Sequence, residues 1–495
     1  MRRSNTPGLG QWLTVSIMVA GAIFLVYKIY QYAGSRTYLP TGLTIAAVDV
    51  GGMTPEEASD ILTNRYIEAP IVLYHGEDSF DVSPTEVEFT LDLETMLSEA
   101  DFQRTQQDFW AGFWGFLWGR PVEVQPIELR ATHKREALRD VLDRISVIVD
   151  LPPQPPQPVP ATLTFQYGVA GTTIDKEASF ADIEAALYRP SNREARLIVE
   201  PVNPERPSIN LLARLLTNHL QNFEQTTGGI ASIFIMDLAT GEEVSINANV
   251  PLSGMDMLKV PIVLETYNVL DRNPTLRQRE LISDTLVLRP DNLSANELLN
   301  VIAGEENPSL GTNLVTAALQ RIGLQNTFII APYDSQGRPG VNTPQTPANT
   351  AEGIPTDPDP LMQTTAEDMG VLLSMIYYCA DGQGGTLLAA FPDTLTQGEC
   401  QAILDEMTLN KTGSLLEEGV PEDVPIAHRH GWVRDTHGDA GIVFSPAGDY
   451  VVVAFLYQPE WLEWVTSSPL LADISLATYN FFNFDDPYLD SNRLN

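Results

Sequence analysis

The chain has 495 residues, of which 43% are apolar, so it is long enough for about three domains and is not a mini-protein. Its 65 acidic and 29 basic residues leave a net charge of −36, which repels nucleic-acid phosphates and anionic membrane surfaces. Only 19% of the residues are charged, which argues against wholesale disorder. We therefore expect an acidic globular protein that does not bind nucleic acid.

An apolar segment lies close to the N-terminus. It runs from Trp12 to Ala33, about 22 residues, and Lys28 is its one charged residue. This length suffices for a helix that crosses a bilayer, and Lys28 can extend its amine to the interface. A cleaved signal peptide is the alternative, but no convincing small-x-small cleavage site follows the segment. The sequence therefore favours an uncleaved anchor.

Two basic residues, Arg2 and Arg3, precede the apolar segment. Positive residues next to a membrane helix stay on the cytoplasmic side. We predict a cytoplasmic tail at residues 1–10 and a transmembrane anchor at residues 11–33. The rest of the chain, from about Tyr38, is then extracytoplasmic, in a single-pass protein of the cell membrane.

The next segment predicts short strands and helices in alternation. Thr54 is placed to N-cap a helix, with Pro55 at its first position and Glu57 completing a capping box. Two short apolar stretches around a polar turn, Ile71–Tyr74 and Phe80–Val82, predict a hairpin.

The order of these features resembles the peptidoglycan-binding module of vancomycin-resistance W-type proteins. The resemblance begins with Val48-Asp49-Val50-Gly51-Gly52-x-Thr54 and continues through the hairpin to Pro84-x-Glu86 and Phe89-x-x-Asp92. Later elements extend it: a strand at Leu163–Tyr167, a helix at Ala181–Tyr188 and a strand at Arg196–Val202. It covers residues 40–205 and implies a small α+β module with peptidoglycan as its ligand.

Two stretches within this segment have more than one interpretation. The proline-rich strip Pro152–Pro160 could be a free, semi-rigid linker, but in the family it lies inside the module and connects its halves, which we favour. The aromatic run Trp110–Trp118 has mixed helical spacing. It could be an interfacial helix on the membrane, but we favour a core helix between two sub-lobes.

The pattern changes from Gly229 onward. An apolar strand at Ile230–Leu238 and a returning strand at Glu243–Asn247 predict a hairpin, and an amphipathic helix runs through Tyr267. With Asp256-x-x-Lys259, Pro290-Asp291-Asn292, Arg429-His430-Gly431 and the closing strands near Asp439–Val443 and Tyr450–Tyr457, this order resembles the class A β-lactamase-like superfamily, the penicillin-recognising serine hydrolases. The resemblance covers residues 210–490. It implies an α+β fold, with an antiparallel sheet packed against helices.

The first family motif is Ser-x-x-Lys, in which one helical turn places the amine beside the hydroxyl that it activates for acylation. Asp256 stands at the serine position, and Lys259 is retained. An Asp and a Lys at this spacing near a helix N-terminus make an ion pair rather than a nucleophile and its base. Ser253 lies three residues earlier and would need a register shift, so we do not expect it to replace the serine.

The second family motif, Ser-Asp-Asn, reads Pro290-Asp291-Asn292. Proline has no hydroxyl to relay a proton. Asp291 and Asn292 remain, and they could also do no more than shape the loop between two helices. The loop from Tyr333 to Asp359 contains no Glu-x-x-Leu-Asn, the family motif that positions the hydrolytic water. Deacylation would therefore lack its general base.

The third family motif, Lys-Thr-Gly, reads Arg429-His430-Gly431. Arg429 keeps the positive charge, although arginine does not replace lysine in proton handling. Gly431 keeps the close backbone approach that a bound ligand needs. With Asp256, Lys259, Asp291 and Asn292, these residues are expected to converge on the former active-site cleft. They would either bind an anionic or peptide-like ligand or satisfy one another as a structural relic.

The two cysteines, Cys379 and Cys400, are separated by a Gly-rich loop and flanked by helical patterns. Outside the cytoplasm such a pair can form a disulfide, which we predict, and two free buried thiols are the alternative. The six histidines show no Cys/His ligand spacing, so we expect neither a metal nor another cofactor.

The sequence as a whole predicts a membrane protein with a catalytically degenerate β-lactamase-like domain. Its partners would be the membrane, through one helix, and peptidoglycan or a cell-envelope protein, in recognition or scaffolding. The enzymatic alternative is an active serine hydrolase that acts on β-lactams or peptidoglycan peptides through another nucleophile. A purely structural stalk, in which neither body binds a ligand, is the third possibility.

Overall fold

The chain forms two compact units in the computed structural model. The structure describes residues 9–120, 122–270, 273–287, 292–335 and 342–489. The first unit comprises residues 1–154 and 170–203, and the second comprises residues 155–169 and 204–495. Arg2 and Arg3, on which the predicted orientation rests, lie outside the described residues, as do Pro290 and Asp291 of the second motif.

The first unit begins with the long helix α1, Leu9–Ser35. Its Gln11–Ser35 portion has a mean hydropathy of 1.9, and none of its most apolar stretch is buried in the protein. This portion is long and apolar enough to cross a membrane. A signal sequence near the N-terminus can have the same length and hydropathy. The predicted N-terminal apolar helix is therefore confirmed, as a membrane anchor or a signal sequence.

The remaining elements up to residue 203 are short. The helices are α2 Pro55–Thr63, α3 Leu93–Thr105, α4 Phe109–Leu117, α5 Arg135–Val149 and α6 Lys176–Leu187. The strands are β1 Thr44–Ile45, β2 Val48–Asp49, β3 Ile71–His75, β4 Asp78–Val82, β5 Thr90–Leu91, β6 Ala131–Thr132, β7 Gln157–Val159, β8 Thr164–Gln166, β9 Gly171–Ile174, β10 Glu194–Arg196 and β11 Val199–Val202. In the first unit, β10 pairs parallel to β3, and the pairs β3–β4, β1–β2, β5–β6 and β9–β11 are antiparallel.

Local signals in the first unit formed as expected. The Thr54 hydroxyl accepts from the Glu57 amide, and the Glu57 carboxylate accepts from the Thr54 amide at 2.8 Å, which is the predicted capping box. The hairpin of β3 and β4 is also present, and its alternating residues Ile71 and Leu73 are fully buried in the core of this unit.

The proline-rich strip departs from the prediction that it lies within the N-terminal body. From Pro155 onward it belongs to the second unit, where β7 pairs antiparallel with β8. The reason is apolar burial, because Leu163 and Phe165 lie in a core of the second unit. The side-chain amide of Asn480 also donates to the Leu163 carbonyl at 3.1 Å.

The aromatic run forms α4, but the favoured prediction of a core helix is wrong. Gly112 and Phe113 are its buried residues. Trp110, Trp114 and Trp118 are 56%, 49% and 74% exposed. Helical periodicity alone does not distinguish a face that packs on a core from an apolar face that remains outside it.

The second unit is built around an antiparallel sheet with the strand order β13-β12-β19-β18-β17. The strands of this unit that follow β8 are β12 Ile230–Asp237, β13 Glu243–Ile246, β14 Leu252–Ser253, β15 Phe328–Ile329, β16 Met362–Thr364, β17 Ile426–Trp432, β18 Thr436–Ser445 and β19 Gly448–Tyr457. The helices are α7 Ile209–Thr227, α8 Lys259–Val269, α9 Leu276–Leu286, α10 Asn292–Ala303, α11 Pro308–Arg321, α12 Ala366–Ala380, α13 Thr386–Ala390, α14 Gln397–Thr408 and α15 Trp464–Phe482. The predicted α+β class and the hairpin of β12 and β13 are confirmed.

Helices cover both faces of this sheet, which explains the continuous apolar character of its strands. Ile233 and Ile235 of β12 lie in the core shared with α7 and α15, and Phe234 lies in the opposite core, shared with α8, α10 and α12. Helix α8 is buried from Lys259 to Tyr267. The sequence predicts an amphipathic helix here, with one exposed face, but the helix is buried on all sides.

A disulfide joins Cys379 of α12 to Cys400 of α14, as predicted. The two Cα atoms are 5.9 Å apart, and both residues are fully buried. The bond closes a loop with a sequence separation of 21, which corresponds to a stabilisation of about 3 kcal/mol. It holds two helices of the core that also contains α8.

Candidate functional site

The candidate site lies where the short 3₁₀ turn Met255–Leu258 leads into α8 and meets β17. Met255 has a φ of +50°, a left-handed conformation that costs a non-glycine residue free energy. Two contacts hold this turn. The Tyr333 hydroxyl donates to the Met255 carbonyl at 2.8 Å, and β17 packs against it at Gly431.

Gly431 allows this close packing. A Cβ atom at this position would lie 2.8 Å from the Asp256 amide nitrogen and 2.8 Å from the Met255 Cβ. Its missing side chain therefore makes room for the chain's own turn. The sequence predicts that this close approach serves a bound ligand, and the atoms that approach Gly431 in the structure belong to Met255 and Asp256.

The central feature of the site is a group of three charged side chains, Asp256, Lys259 and Arg429, which we call the ion triad. One carboxylate oxygen of Asp256 lies 3.0 Å from Lys259 Nζ, and the other lies 3.0 Å from Arg429 Nη2. The Lys259 and Arg429 side chains are 0% and 2% exposed. Buried charges are stable only when they are paired, so Asp256 is the counter-ion of two buried cations.

The second guanidinium nitrogen of Arg429 is also engaged. Arg429 Nη1 donates to the Leu286 carbonyl at 3.1 Å, at the last residue of α9. The guanidinium thus links β17, the turn before α8 and the end of α9. This use of both terminal nitrogens suits a structural clamp, because a planar fork binds two acceptors in fixed directions.

Tyr333 completes the surroundings of the triad. Lys259 Nζ lies 5.2 Å from the centre of the Tyr333 ring, a cation–π contact. Burial and then the Asp256 carboxylate raise the pKa of Tyr333 well above its ordinary value of 10.0, so the phenol remains a donor. Asn296 of α10 positions Tyr333 through two hydrogen bonds of 3.0 Å to its backbone.

His430 follows Arg429 in β17 and is half-buried. Its imidazole stacks on the exposed Trp432 ring, with the ring centres 5.5 Å apart and the planes 5° apart. Burial, together with the Arg429 and His428 charges, lowers the pKa of His430 below 6.5 although Asp439 opposes the shift. His430 is thus neutral near pH 7.

Next to the triad, β17 and β18 contain a buried His–Asp pair. His428 Nδ1 lies 2.9 Å from an Asp439 carboxylate oxygen, and both side chains are fully buried. Burial alone would lower the pKa of His428, but the Asp439 charge and hydrogen bond raise it overall. Burial alone would raise the pKa of Asp439, but His428 and the Leu416 amide lower it overall.

The sequence model of the Beta-lactamase enzyme family matches residues 215–290 and 270–482, which together are more than half of the chain. The chain belongs to this family. Several solved structures are similar to this chain: PBP-A, at 19% identity, covers 57% of this chain and 99% of its own length with a TM-score of 0.42. A β-lactamase from Sphaerobacter thermophilus has 16% identity, 56% and 99% coverage and a TM-score of 0.41. An ancestral class A β-lactamase has 20% identity, 53% and 98% coverage and a TM-score of 0.39. No curated protein matches the chain.

Two other residues weighed in the sequence, Asn292 and Ser253, make their described contacts outside the ion triad. Asn292 begins α10, and its amide donates to both carboxylate oxygens of Asp334 at 3.1 Å. Ser253 belongs to β14 and is 3% exposed. Its hydroxyl accepts from the Asp359 amide at 2.9 Å, which ties it to a loop.

The sequence did not predict three features of the site: the contacts of Tyr333, the hydrogen bond to the Leu286 carbonyl and the pairing of His428 with Asp439. Tyr333 marked only the start of a loop, and a backbone carbonyl leaves no signal in a sequence. The alternation of His428 and His430 on one strand was visible. The register of β17 on β18, which pairs His430 with Asp439 and so places Asp439 diagonally from His428, was not.

Proposed function

We propose that the β-lactamase family domain of this chain is catalytically degenerate and that the protein recognises or scaffolds components of the cell envelope from a membrane anchor. The observation that carries the proposal is the ion triad. Where the family places a serine hydroxyl beside a lysine, this chain places a carboxylate with one oxygen on Lys259 and the other on Arg429.

The chemistry of the triad supports this reading. A serine nucleophile needs its hydroxyl and a base that takes up the hydroxyl proton. Asp256 provides no hydroxyl, and each of its carboxylate oxygens is held by a buried cation. The loss of the hydroxyl and the lack of a deacylation motif affect both halves of an acylation and deacylation cycle. Removal of a member of such a unit lowers rates by several orders of magnitude.

The proposed anchor and orientation rest on other features. Helix α1 has the length and hydropathy of a membrane span, and Arg2 and Arg3 precede it in the sequence. The disulfide Cys379–Cys400 supports an extracytoplasmic position, because disulfides persist in oxidising compartments.

Peptidoglycan is the proposed ligand of the first unit. The supporting observations are the order of the Val48–Thr54 motif and the hairpin, together with a cavity of about 600 Å³ beside β3 and β10. Polar side chains line this cavity: Tyr74, Asp182, Arg189, Glu194 and Arg196. Such a mixture of acids, arginines and a tyrosine can hydrogen-bond to sugars and peptide stems.

Acylation by a fluorescent penicillin tests the loss of catalysis. We expect no covalent labelling of the full-length protein in membranes, and an active β-lactamase family enzyme treated in parallel shows that the reagent works. Covalent labelling that disappears in Ser253→Ala, or in another Ser variant, would overturn the proposal and establish the enzymatic alternative.

Retention on purified peptidoglycan tests the ligand of the first unit. We expect the full-length protein in detergent to be retained, and retention to fall several-fold in a variant with Tyr74→Ala and Arg196→Ala. The matched control is Arg277→Ala, which removes an exposed arginine of the second unit and should change nothing. Failure of the unchanged protein to be retained would contradict peptidoglycan binding and favour a structural stalk.

A further inference from the structure

Helix α4 has the composition of a membrane-interface segment. No charged residue occurs from Phe109 to Trp118. Trp110 and Trp114 lie four residues apart on one stripe of the helix, and Trp118, at its C-cap, continues that stripe. All three are substantially exposed. A soluble surface rarely presents such a concentration of apolar rings, whereas tryptophan is enriched where lipid meets water.

This helix packs against the end of α1. The Tyr32 ring lies 5.3 Å from Phe109, 5.9 Å from Phe113 and 5.5 Å from Phe116, measured between ring centres. Gly112 makes the approach possible, since a Cβ there would meet the Tyr32 hydroxyl at 2.0 Å. Tyr32 lies within one turn of Ser35, where α1 ends. Tyr32 and Ser35 are separated by about 5 Å along the axis of α1. The contact with Tyr32 therefore places α4 at the level at which the apolar segment ends.

Charged groups border α4 at this level. The Asp108 carboxylate caps the helix by accepting from the Trp110 amide at 3.1 Å. The Arg36 guanidinium lies 5.7 Å from the centre of the Phe109 ring, and Lys28 Nζ lies 5.8 Å from the Phe116 ring. Cations beside exposed aromatic rings suit the headgroup layer, where long basic side chains reach polar groups while their stems stay in lipid.

A large cavity opens between these elements. Its volume is about 1050 Å³, and its walls combine aromatic rings with basic side chains, among them Tyr32, Arg36, Trp114, Trp118 and Arg120. The mixture of apolar and cationic walls matches a phospholipid, which has an acyl chain and a phosphate. If only water filled the cavity, the apolar faces of the tryptophan rings would stay exposed to water, which is unfavourable.

We infer that α4 lies in the interface of the bilayer that α1 crosses, with Trp110, Trp114 and Trp118 in contact with phospholipid. The inference rests on the proposed anchor, because continuity with the apolar end of α1 is what identifies the occupant. The helix then fixes the first unit against the membrane surface at a second point.

Quenching of tryptophan fluorescence by brominated lipid tests this inference. The full-length protein is placed in nanodiscs of phosphatidylcholine, with and without bromine near the carbonyl end of the acyl chains. The chain has seven tryptophans, and we expect Trp12 and the three of α4 to be quenched. In a variant with Trp110→Phe, Trp114→Phe and Trp118→Phe, the quenchable signal should fall to about one quarter, the share of Trp12.

The matched control changes the three tryptophans of the second unit, Trp432, Trp461 and Trp464, to Phe. It should keep the full quenchable signal. Equal quenchable signals in the α4 variant and the unchanged protein would overturn the inference while leaving the anchor intact. An N-terminal sequence that starts beyond Ala33 would overturn both, because a cleaved chain lacks the helix that carries α4. Phenylalanine retains the apolar surface, so loss of folding does not confuse the comparison.

Discussion

At the scale of single residues, Asp256 is the counter-ion of two cations that have almost no contact with water. We predict that Asp256→Asn destabilises the second unit by about 3 kcal/mol or more, since removing one partner leaves buried charge uncompensated. The measurement is the denaturant midpoint, followed by near-ultraviolet circular dichroism. Combining the change with Lys259→Met should recover part of the loss, because one of the two cations is then gone. An unchanged midpoint in Asp256→Asn would show that the triad is not a stabilising unit.

His428 gives the second unit a predictable dependence on pH. Its pKa is raised above the ordinary 6.5 in the folded state, so its pairing with Asp439 is fully stabilising below pH 6.5 and is lost as pH rises through the folded value. We predict that the free energy of unfolding of the unchanged protein, minus that of His428→Gln, decreases as pH rises above 6.5. Urea unfolding at several pH values measures this difference.

The control for this pH profile is His430→Gln. The pKa of His430 is lowered in the folded state, so this residue destabilises the fold as pH falls below 6.5, and its difference profile should have the opposite direction. Parallel profiles for the two variants would contradict the assignment of the pH effect to the His428–Asp439 pair.

Some contacts of the site follow from sequence spacing and others do not. Asp256 and Lys259 are three residues apart, so one helical turn brings them together. Arg429 is 173 positions from Asp256, and its place beside the carboxylate came from the resemblance in motif order rather than from any local rule. Tyr333 had neither spacing nor a motif. Contacts between distant segments depend on strand register and loop paths that a single sequence does not encode locally.

At the scale of elements, the junction between β17 and the turn before α8 depends on one glycine. We predict that Gly431→Ala destabilises the second unit by about 1 to 3 kcal/mol, because the new Cβ would meet the backbone of Asp256 and the Met255 Cβ. The denaturant midpoint measures the effect. Gly353→Ala is the matched control, since a Cβ there has no atom within 4 Å. Equal midpoints for the two variants would mean that β17 can shift away without cost.

Helix α4 and the β7–β8 hairpin show why element type is easier to predict than element surroundings. The predicted helix of the aromatic run and the predicted strand at Leu163–Tyr167 both form, as α4 and β8, whereas β7 forms within the proline-rich strip, which predicts only a connection. The neighbours predicted for α4 and for the strip are wrong. An apolar residue such as Phe113 or Phe165 signals that it will be buried, but hydrophobic burial has no direction. The apolar pattern therefore does not determine which of the two units covers the apolar face, or whether lipid covers it instead.

At the scale of the whole molecule, the chain has a net charge of −36 and joins an apolar helix to a strongly acidic body. Repulsion from anionic lipid would keep such a body away from a membrane, so attachment has to come from apolar contact rather than from charge. Helix α1 can supply that contact if it is retained. The apolar helix itself was evident from composition, because a run of about 20 apolar residues is a strong signal.

Retention of α1 is therefore the prediction on which the arrangement of the whole protein depends. We predict that protein extracted from membranes retains the apolar segment Trp12–Ala33, measured by mass spectrometry, and resists extraction by alkaline carbonate. In the proposed orientation Arg2 and Arg3 keep the tail inside, so protease added outside intact cells should digest the body beyond Tyr38. Changing both arginines to Glu should weaken this orientation and protect a fraction of the body. A mass short by the apolar segment would identify a cleaved signal peptide instead.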